Sequence, residues 1–277
     1  MAGYDLHTHS TFSDGTLEPE QVVALAAERD LAGIALTDHD TVGGVERARA
    51  AAPAGLDVLV GCELSAEHDG NPVHVLGYAF DPAAPELAAT RRWIRAGRVD
   101  RARRMVERLR ALGAEVDFDR VRELAGGGAV GRPHVARALV EAGVVPDVAA
   151  AFGPDWIGTG GRAYVAKAAV GPVGAVRLIR GAGGVAVLAH PSVHAGARAV
   201  PEPVIRAMAA AGLDGLEADH PDHPPADRAR WRALAAELGL EATGASDCHG
   251  ALYGYRMGVC RTPEATVARL LARAART

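Results

Sequence analysis

The chain has 277 residues, 49% of them hydrophobic and 23% charged, with a formal net charge of −4. That length and apolar content can bury a large core, and the slightly acidic balance excludes a general polycation. No apolar run is long enough to span a bilayer, the opening MAGYDLHTHS lacks a basic segment followed by an apolar one, and three cysteines (Cys62, Cys248, Cys260) read as buried fillers in a reduced, cytoplasmic protein rather than a disulfide framework.

Tyr4 to His9 reads as a first strand. Side chains alternate along a strand, so His7 and His9 share a face, and two imidazoles at a strand's end can grip one metal ion. Asp14-Gly15 is a turn pair that can return the Asp14 carboxylate over that end. Leu17 to Glu20 starts a helix with Pro19 in its first turn. Ile34 to Thr37 is a second strand, ending at Asp38-His39-Asp40, and Thr41 is expected to cap a helix to about Ala51. Asp57 to Cys62 is a third strand ending at Glu63, and Val73 to Tyr78 a fourth carrying His74. Strands apolar throughout suggest a parallel sheet covered on both faces.

From Arg91 to Arg162 the periodicity is helical, with helices over Asp100–Leu112, Phe118–Leu124 and Pro133–Ala142. Between Arg91 and Arg137 there are thirteen arginines against six acids, which makes this segment the expected docking place for an anion. Arg132 and His134 stand at a helix start, where backbone amides favour phosphate. Lys167, the single lysine, follows where the helical segment ends.

The α/β alternation then resumes. Pro172–Gly181 reads as a helix, Val185–Ala189 as a strand ending at His190, and Leu213–Ala218 as a strand leading to His220 and His223. Trp231–Leu238 is helical, Glu241–Ala245 is a strand ending at Asp247 and His249, and Thr262 is expected to cap the last helix. About seven strands, most followed by a helix, predict an α/β fold, a (β/α)7 barrel. The expected division is a barrel over 1–90 and 163–277 with a helical insertion over 91–162.

Barrels of this kind carry their active site at the C-terminal strand ends. His7, His9, His39, Glu63, His190, Asp247 and His249 all fall there, which points to a metal site. Imidazole with carboxylate suits Zn, Mn or Fe better than Ca or Mg. With Asp14 and His74 the candidates number nine, more than one ion needs, so two or three divalent transition-metal ions are expected. Such a site suits phosphoryl hydrolysis. His220 and His223 follow a strand and face the same side; His223 is a candidate for touching substrate. His68 and His194 receive no role.

The stretches DLHTHSTFSDG, ALTDHDTVGG, VGCELS, HVLGY, LAHP and GASDCHG, in that order, resemble the polymerase and histidinol phosphatase (PHP) superfamily of metal-dependent phosphoesterases. The resemblance implies a distorted seven-stranded barrel and three ions. His7, His9, Glu63 and Asp247 would hold the first; Glu63, His74 and His190 the second; Asp14, His39 and His249 the third. Asp38 would orient an imidazole through its free N–H, and Arg132, His134 and Lys167 would bind phosphate. The expected reaction is hydrolysis of a nucleotide phosphate, such as a 3′,5′-bisphosphate, by a metal-bound hydroxide. The alternative is a 5′-to-3′ exoribonuclease acting on short 5′-phosphorylated RNA. The implied partner is thus a small phosphorylated substrate, with no membrane and no protein partner.

Overall fold

A computed structural model describes residues 3–126, 130–166, 168–192 and 199–274. The chain divides into two compact units, residues 1–91 with 169–277, and residues 92–168.

In the first unit, β1 (Gly3–Thr8), α1 (Pro19–Glu28), β2 (Gly33–Leu36), α2 (Val45–Ala51), β3 (Asp57–His68) and β4 (Asn71–Tyr78) come first in the chain. Helix α3 (Pro85–Ala111) begins there and runs on into the second unit, where α4 (Phe118–Leu124), α5 (Arg132–Glu141) and α6 (Val148–Ala151) follow. The first unit resumes with α7 (Pro172–Gly181), β5 (Val185–Leu188), α8 (Glu202–Ala210), β6 (Gly215–Asp219), α9 (Pro225–Glu237), β7 (Glu241–Gly244), β8 (Thr262–Pro263) and α10 (Glu264–Ala274).

All eight strands form one sheet in the order β7-β6-β5-β4-β3-β2-β1-β8. The sheet nearly closes on itself, in a distorted barrel. Closure comes from two sources. The chain after β7 bridges β1 in parallel at Thr8 and Cys248, with His9 N–H donating to the Cys248 carbonyl at 2.9 Å. The two-residue β8 pairs with Gly3 and Tyr4, while the Thr262 hydroxyl bonds both the N–H and the carbonyl of Gly244 on β7.

The sheet is not wholly parallel as expected. β4 runs antiparallel to both β3 and β5. The cause is the turn: Asp69 and Gly70 both take positive φ, 49° and 78°, the conformation that joins two strands in a tight hairpin. β3 therefore continues past Glu63 to His68, and Glu63 and His74 lie inside strands rather than at their ends.

Two expected caps are also corrected. Thr41 accepts from Gly43 N–H and closes a turn, and α2 starts only at Val45. Thr262 belongs to β8, so its hydroxyl is engaged with Gly244. Helix α8 was not anticipated.

The barrel strands pack against their helices through residues such as Val22, Val23 and Ala26 of α1 and Ile34 and Leu36 of β2, all essentially without solvent contact. Each buried Val, Leu or Ile contributes about 1.5–3 kcal/mol relative to exposure. The second unit has its own core. Ala102, Met105, Val106 and Leu109 of α3 recur at helical spacing and pack with Val121, Val135, Leu139 and Ile157. Asp117 and Asp147 cap α4 and α6 through their carboxylates. No strand occurs among the described residues of this unit, and no described helix is long and apolar enough to cross a membrane.

Candidate metal centre

The pleat of β1 puts Asp5, His7 and His9 on one face. On that face His7 Nε2 lies 3.2 Å from Glu63 Oε2 and 3.3 Å from Asp247 Oδ1. His9 Nε2 lies 3.3 and 3.1 Å from the same two oxygens. Glu63 divides its carboxylate between neighbours: Oε2 is also 3.0 Å from His39 Nδ1, whereas Oε1 is 2.7 Å from His74 Nδ1 and 3.2 Å from His190 Nε2. Strand pairing explains this. Residues 39 and 63 form a parallel bridge, and Glu63 opposes Leu76 across the β3–β4 pair, so His74 projects on the same side two residues away.

Asp14 collects a further set. Its Oδ1 is 3.4 Å from His249 Nε2 and 3.7 Å from His9 Nδ1, and its Oδ2 is 3.5 Å from His39 Nε2. The His249 and His9 rings stack at 4.1 Å. Four groups of donor atoms each lie within 4.8 Å of one another: His9–Asp14–His39–His249, His7–His9–Glu63, His7–His190–Asp247 and His39–Glu63–His74. The largest is the one that includes Asp14.

This donor set fits divalent transition-metal ions. The buried atoms His7 Nε2, His9 Nε2, His39 Nδ1, Asp14 Oδ1, Glu63 Oε2 and Asp247 Oδ1 make no hydrogen bond within the protein. Buried polar atoms left so are costly, at about 1–3 kcal/mol each, and here they converge. Mixed imidazole and carboxylate donors suit Mn, Zn or Fe.

The electrostatics agree. Burial by itself would lower the His7 pKa, but the carboxylates of Asp247, Glu63 and Glu217 raise it well above its ordinary value. His9 behaves likewise: burial opposes the shift, and Asp247, Glu63 and Asp14 carry it up to about 10. For Asp14, Glu63 and Asp247 burial acts upward and the surrounding imidazoles prevail, holding each well below the carboxylate range. The cluster of buried donors demands positive charge, supplied by protons or by a metal.

A PHP domain model matches residues 5–118. A 3′,5′-nucleoside bisphosphate phosphatase of Chromobacterium violaceum is 40% identical over 251 residues, 90% of this chain and 88% of that protein. The chain belongs to the PHP family. A 5′-3′ exoribonuclease of Haemophilus influenzae is 34% identical, covering 89% of both chains. Among solved structures, a Bifidobacterium adolescentis protein classed with metal-dependent phosphoesterases superposes with a TM-score of 0.88 at 35% identity, over 98% of this chain and 96% of that one. This PHP chain is accordingly a hydrolase of the metal-dependent phosphoesterase class.

Several side chains position the PHP donors. Glu217, buried on β6, places Oε1 3.1 Å from His7 Nδ1 and accepts the His190 N–H on Oε2 at 2.7 Å. The sequence reading missed Glu217, although an acid set between Leu216 and Ala218 inside a strand was a signal. Asp5 is equally buried and equally missed. It accepts from Ser246 N–H and Gly258 N–H, binding the loops around Asp247 to β1. Asp247 itself takes φ 50°, a left-handed conformation that costs a non-glycine residue stability and marks a constrained position.

Among the described residues Asp38 bonds no imidazole directly; its link to one runs through Ser13, whose Oγ lies 3.4 Å from His9 Nδ1 and donates to Asp38. Its carboxylate accepts from Ser10 N–H, Ser10 Oγ–H and Ser13 Oγ–H at 2.6–2.8 Å, fixing the loop that delivers Asp14. His223 is corrected too. It is buried, its Nδ1 lies 2.9 Å from the Ala218 carbonyl, and its Nε2 accepts from Ser192 N–H, so both ring nitrogens face backbone. In the second unit His134 Nδ1 accepts from Gly131 N–H and helps cap α5. The Arg132 guanidinium lies over the rings of Phe152 and Tyr164, at 5.3 and 6.0 Å, with no carboxylate partner among the described residues. Lys167 and His194 lie outside the described residues.

Proposed function

We propose that this PHP protein hydrolyses a phosphate ester of a nucleotide, with a 3′,5′-nucleoside bisphosphate as the preferred substrate. The observation that carries the reading is the division of the Glu63 carboxylate between two sets of imidazoles, the arrangement of a bridging ligand in a centre of more than one ion. His7, His9, Glu63 and Asp247 would hold the first ion, Glu63, His74 and His190 the second, and Asp14, His39 and His249 the third. Ions bound there would supply Lewis acidity toward the phosphoryl oxygens and acidify water.

The protein's own residues do the rest. Glu217 keeps the His7 ring turned so that Nε2 meets Glu63 and Asp247. Asp38, through Ser10 and Ser13, keeps Asp14 over the end of β1. Burial of the imidazoles keeps bulk water off their donor atoms. Hydrolysis breaks the P–O ester bond, leaving an alcohol and inorganic phosphate.

The substrate class follows the Chromobacterium violaceum relative. Arg132 supports it. Burial lowers its pKa, a guanidinium nonetheless stays cationic in a protein, and two aromatic rings hold it where no carboxylate among the described residues neutralises it. Such a guanidinium suits an anion, and we assign it, with His134 and Lys167, to the phosphate that is not cleaved. The Haemophilus influenzae relative supports a second reading, exonucleolytic cleavage of short 5′-phosphorylated RNA. The deciding experiment compares phosphate or mononucleotide release from adenosine 3′,5′-bisphosphate and from a 5′-phosphorylated trinucleotide, with manganese and with zinc. Faster turnover of the trinucleotide would replace the first reading by the second. Three free, buried cysteines fit a reducing compartment, and we place the protein in the cytoplasm.

A further inference from the structure

The two oxygens of Asp247 face different company. Oδ1 points among the donor atoms, 3.3 Å from His7 Nε2, 3.1 Å from His9 Nε2 and 3.5 Å from His249 Nδ1. Oδ2 faces two cationic or N–H-bearing groups instead: His220 Nε2 at 3.6 Å and Arg256 Nη2 at 3.9 Å. Both groups are set by one residue. Asp222 donates its backbone N–H to His220 Nδ1 at 3.1 Å, which leaves the ring proton on Nε2, the atom aimed at Asp247. The Asp222 carboxylate accepts from Arg256 Nη1 at 2.8 Å, and the same guanidinium reaches the Asp247 carbonyl through Nη2 at 3.5 Å. His220 is fully buried and its Nε2 makes no hydrogen bond. Asp222 and Arg256 come from different loops, after β6 and after β7, and both bear on a residue whose backbone is held at φ 50°.

We propose that Asp222, His220 and Arg256 act together as positioning residues that claim Oδ2 of Asp247 and so present Oδ1 alone to the metal. A free carboxylate can chelate one ion through both oxygens or swing away. One whose second oxygen faces an imidazole N–H and a guanidinium does neither. When Oδ1 meets a cation, Oδ2 keeps facing these two groups, and the strained backbone at residue 247 is held by the Arg256 contact to its carbonyl. Outer partners of this kind set ligand direction, and losing one typically weakens metal binding by about 10–100-fold. His220 was visible in the sequence as a histidine beyond a strand end. Asp222 and Arg256 were not visible, because their meeting is made by two loops distant in the chain.

This inference rests on the metal-centre reading of Asp247. The test is manganese affinity of the stripped full chain, read by competition with a chromophoric chelator, beside the melting temperature of the metal-free protein. Arg256→Ala should weaken the binding of one ion by about 10–100-fold with little change in metal-free melting, and Arg256→Lys should recover part of the loss. Asp222→Asn, which alters only a half-exposed carboxylate, should lower affinity in the same direction and decides the matter if Arg256→Ala does not fold. Arg232→Ala removes an ion pair from α9 to Asp219 at the end of β6 and should leave affinity unchanged. Unaltered manganese affinity in both Arg256→Ala and Asp222→Asn would overturn the inference while leaving the metal centre standing. A wild-type chain that binds no manganese would overturn the metal centre itself.

Discussion

Glu217 Oε1 lies 3.1 Å from His7 Nδ1, deep in the barrel and shut off from solvent. That contact fixes which nitrogen of His7 faces Glu63 and Asp247, and it raises the basicity of the ring. Glu217→Gln keeps the shape and loses the charge. Manganese affinity and turnover should both fall, by about 10–100-fold, while far-ultraviolet circular dichroism stays as in the wild type. Unchanged affinity in a folded variant would show that the contact is packing alone.

Glu63 touches five imidazoles, those of His7, His9, His39, His74 and His190. Glu63→Ala should therefore cost metal content as well as rate. Hydrolysis should drop by at least about 10²-fold, the scale of losing one strong electrostatic contributor at a reacting centre. Elemental analysis of the variant should show at least one ion fewer than the wild type. Wild-type metal content would contradict the bridging role.

The folded pKa of His9 in the metal-free protein is raised to about 10. A raised histidine pKa adds stability that is complete below the unfolded value near 6.5 and fades as pH rises through about 10. Metal-free protein should therefore melt at progressively lower temperature from pH 7 toward pH 10. The carboxylates Asp14, Glu63 and Asp247 act in the opposite sense, and their contribution is lost as the medium turns acid. Metal uptake must displace the imidazole protons, so manganese binding should release protons, detectable in a weakly buffered dye assay, and should tighten as pH rises. Binding without proton release would mean that these histidines are neutral before metal arrives.

Arg132 provides a test of substrate choice. Arg132→Ala should weaken kcat/KM for a 3′,5′-bisphosphate by ~1.5–3 kcal/mol, the range for a hydrogen bond to a charged group. A small monoester such as p-nitrophenyl phosphate, with no second phosphate, should be nearly unaffected. Equal losses on both substrates would assign Arg132 to the stability of its unit, whose core includes Phe152 and Tyr164 at its edge.

The donors were legible because the pattern is local. His7 and His9 are spaced by the pleat, and Glu63, His190, Asp247 and His249 follow or interrupt apolar strands. Strand direction was less legible. An apolar strand buried on both faces reads the same in either direction, so only the Asp69-Gly70 pair revealed that β4 turns back on β3. Asp38 illustrates a second limit. The family resemblance implied an imidazole partner, but Ser10 and Ser13 reach it from a loop some 25 residues earlier and offer three donors. His223 was judged by its position beyond a strand, whereas the path of the chain at Ala218 and Ser192 closes around its ring.

The most direct test is phosphate release from adenosine 3′,5′-bisphosphate by protein stripped with chelator, before and after titration with manganese. The account predicts negligible release from the stripped protein and recovery on addition of manganese, saturating at two or three ions per chain. Release that persists undiminished in excess chelator, or a protein that takes up no metal and stays silent on the bisphosphate and on 5′-phosphorylated RNA alike, would contradict it.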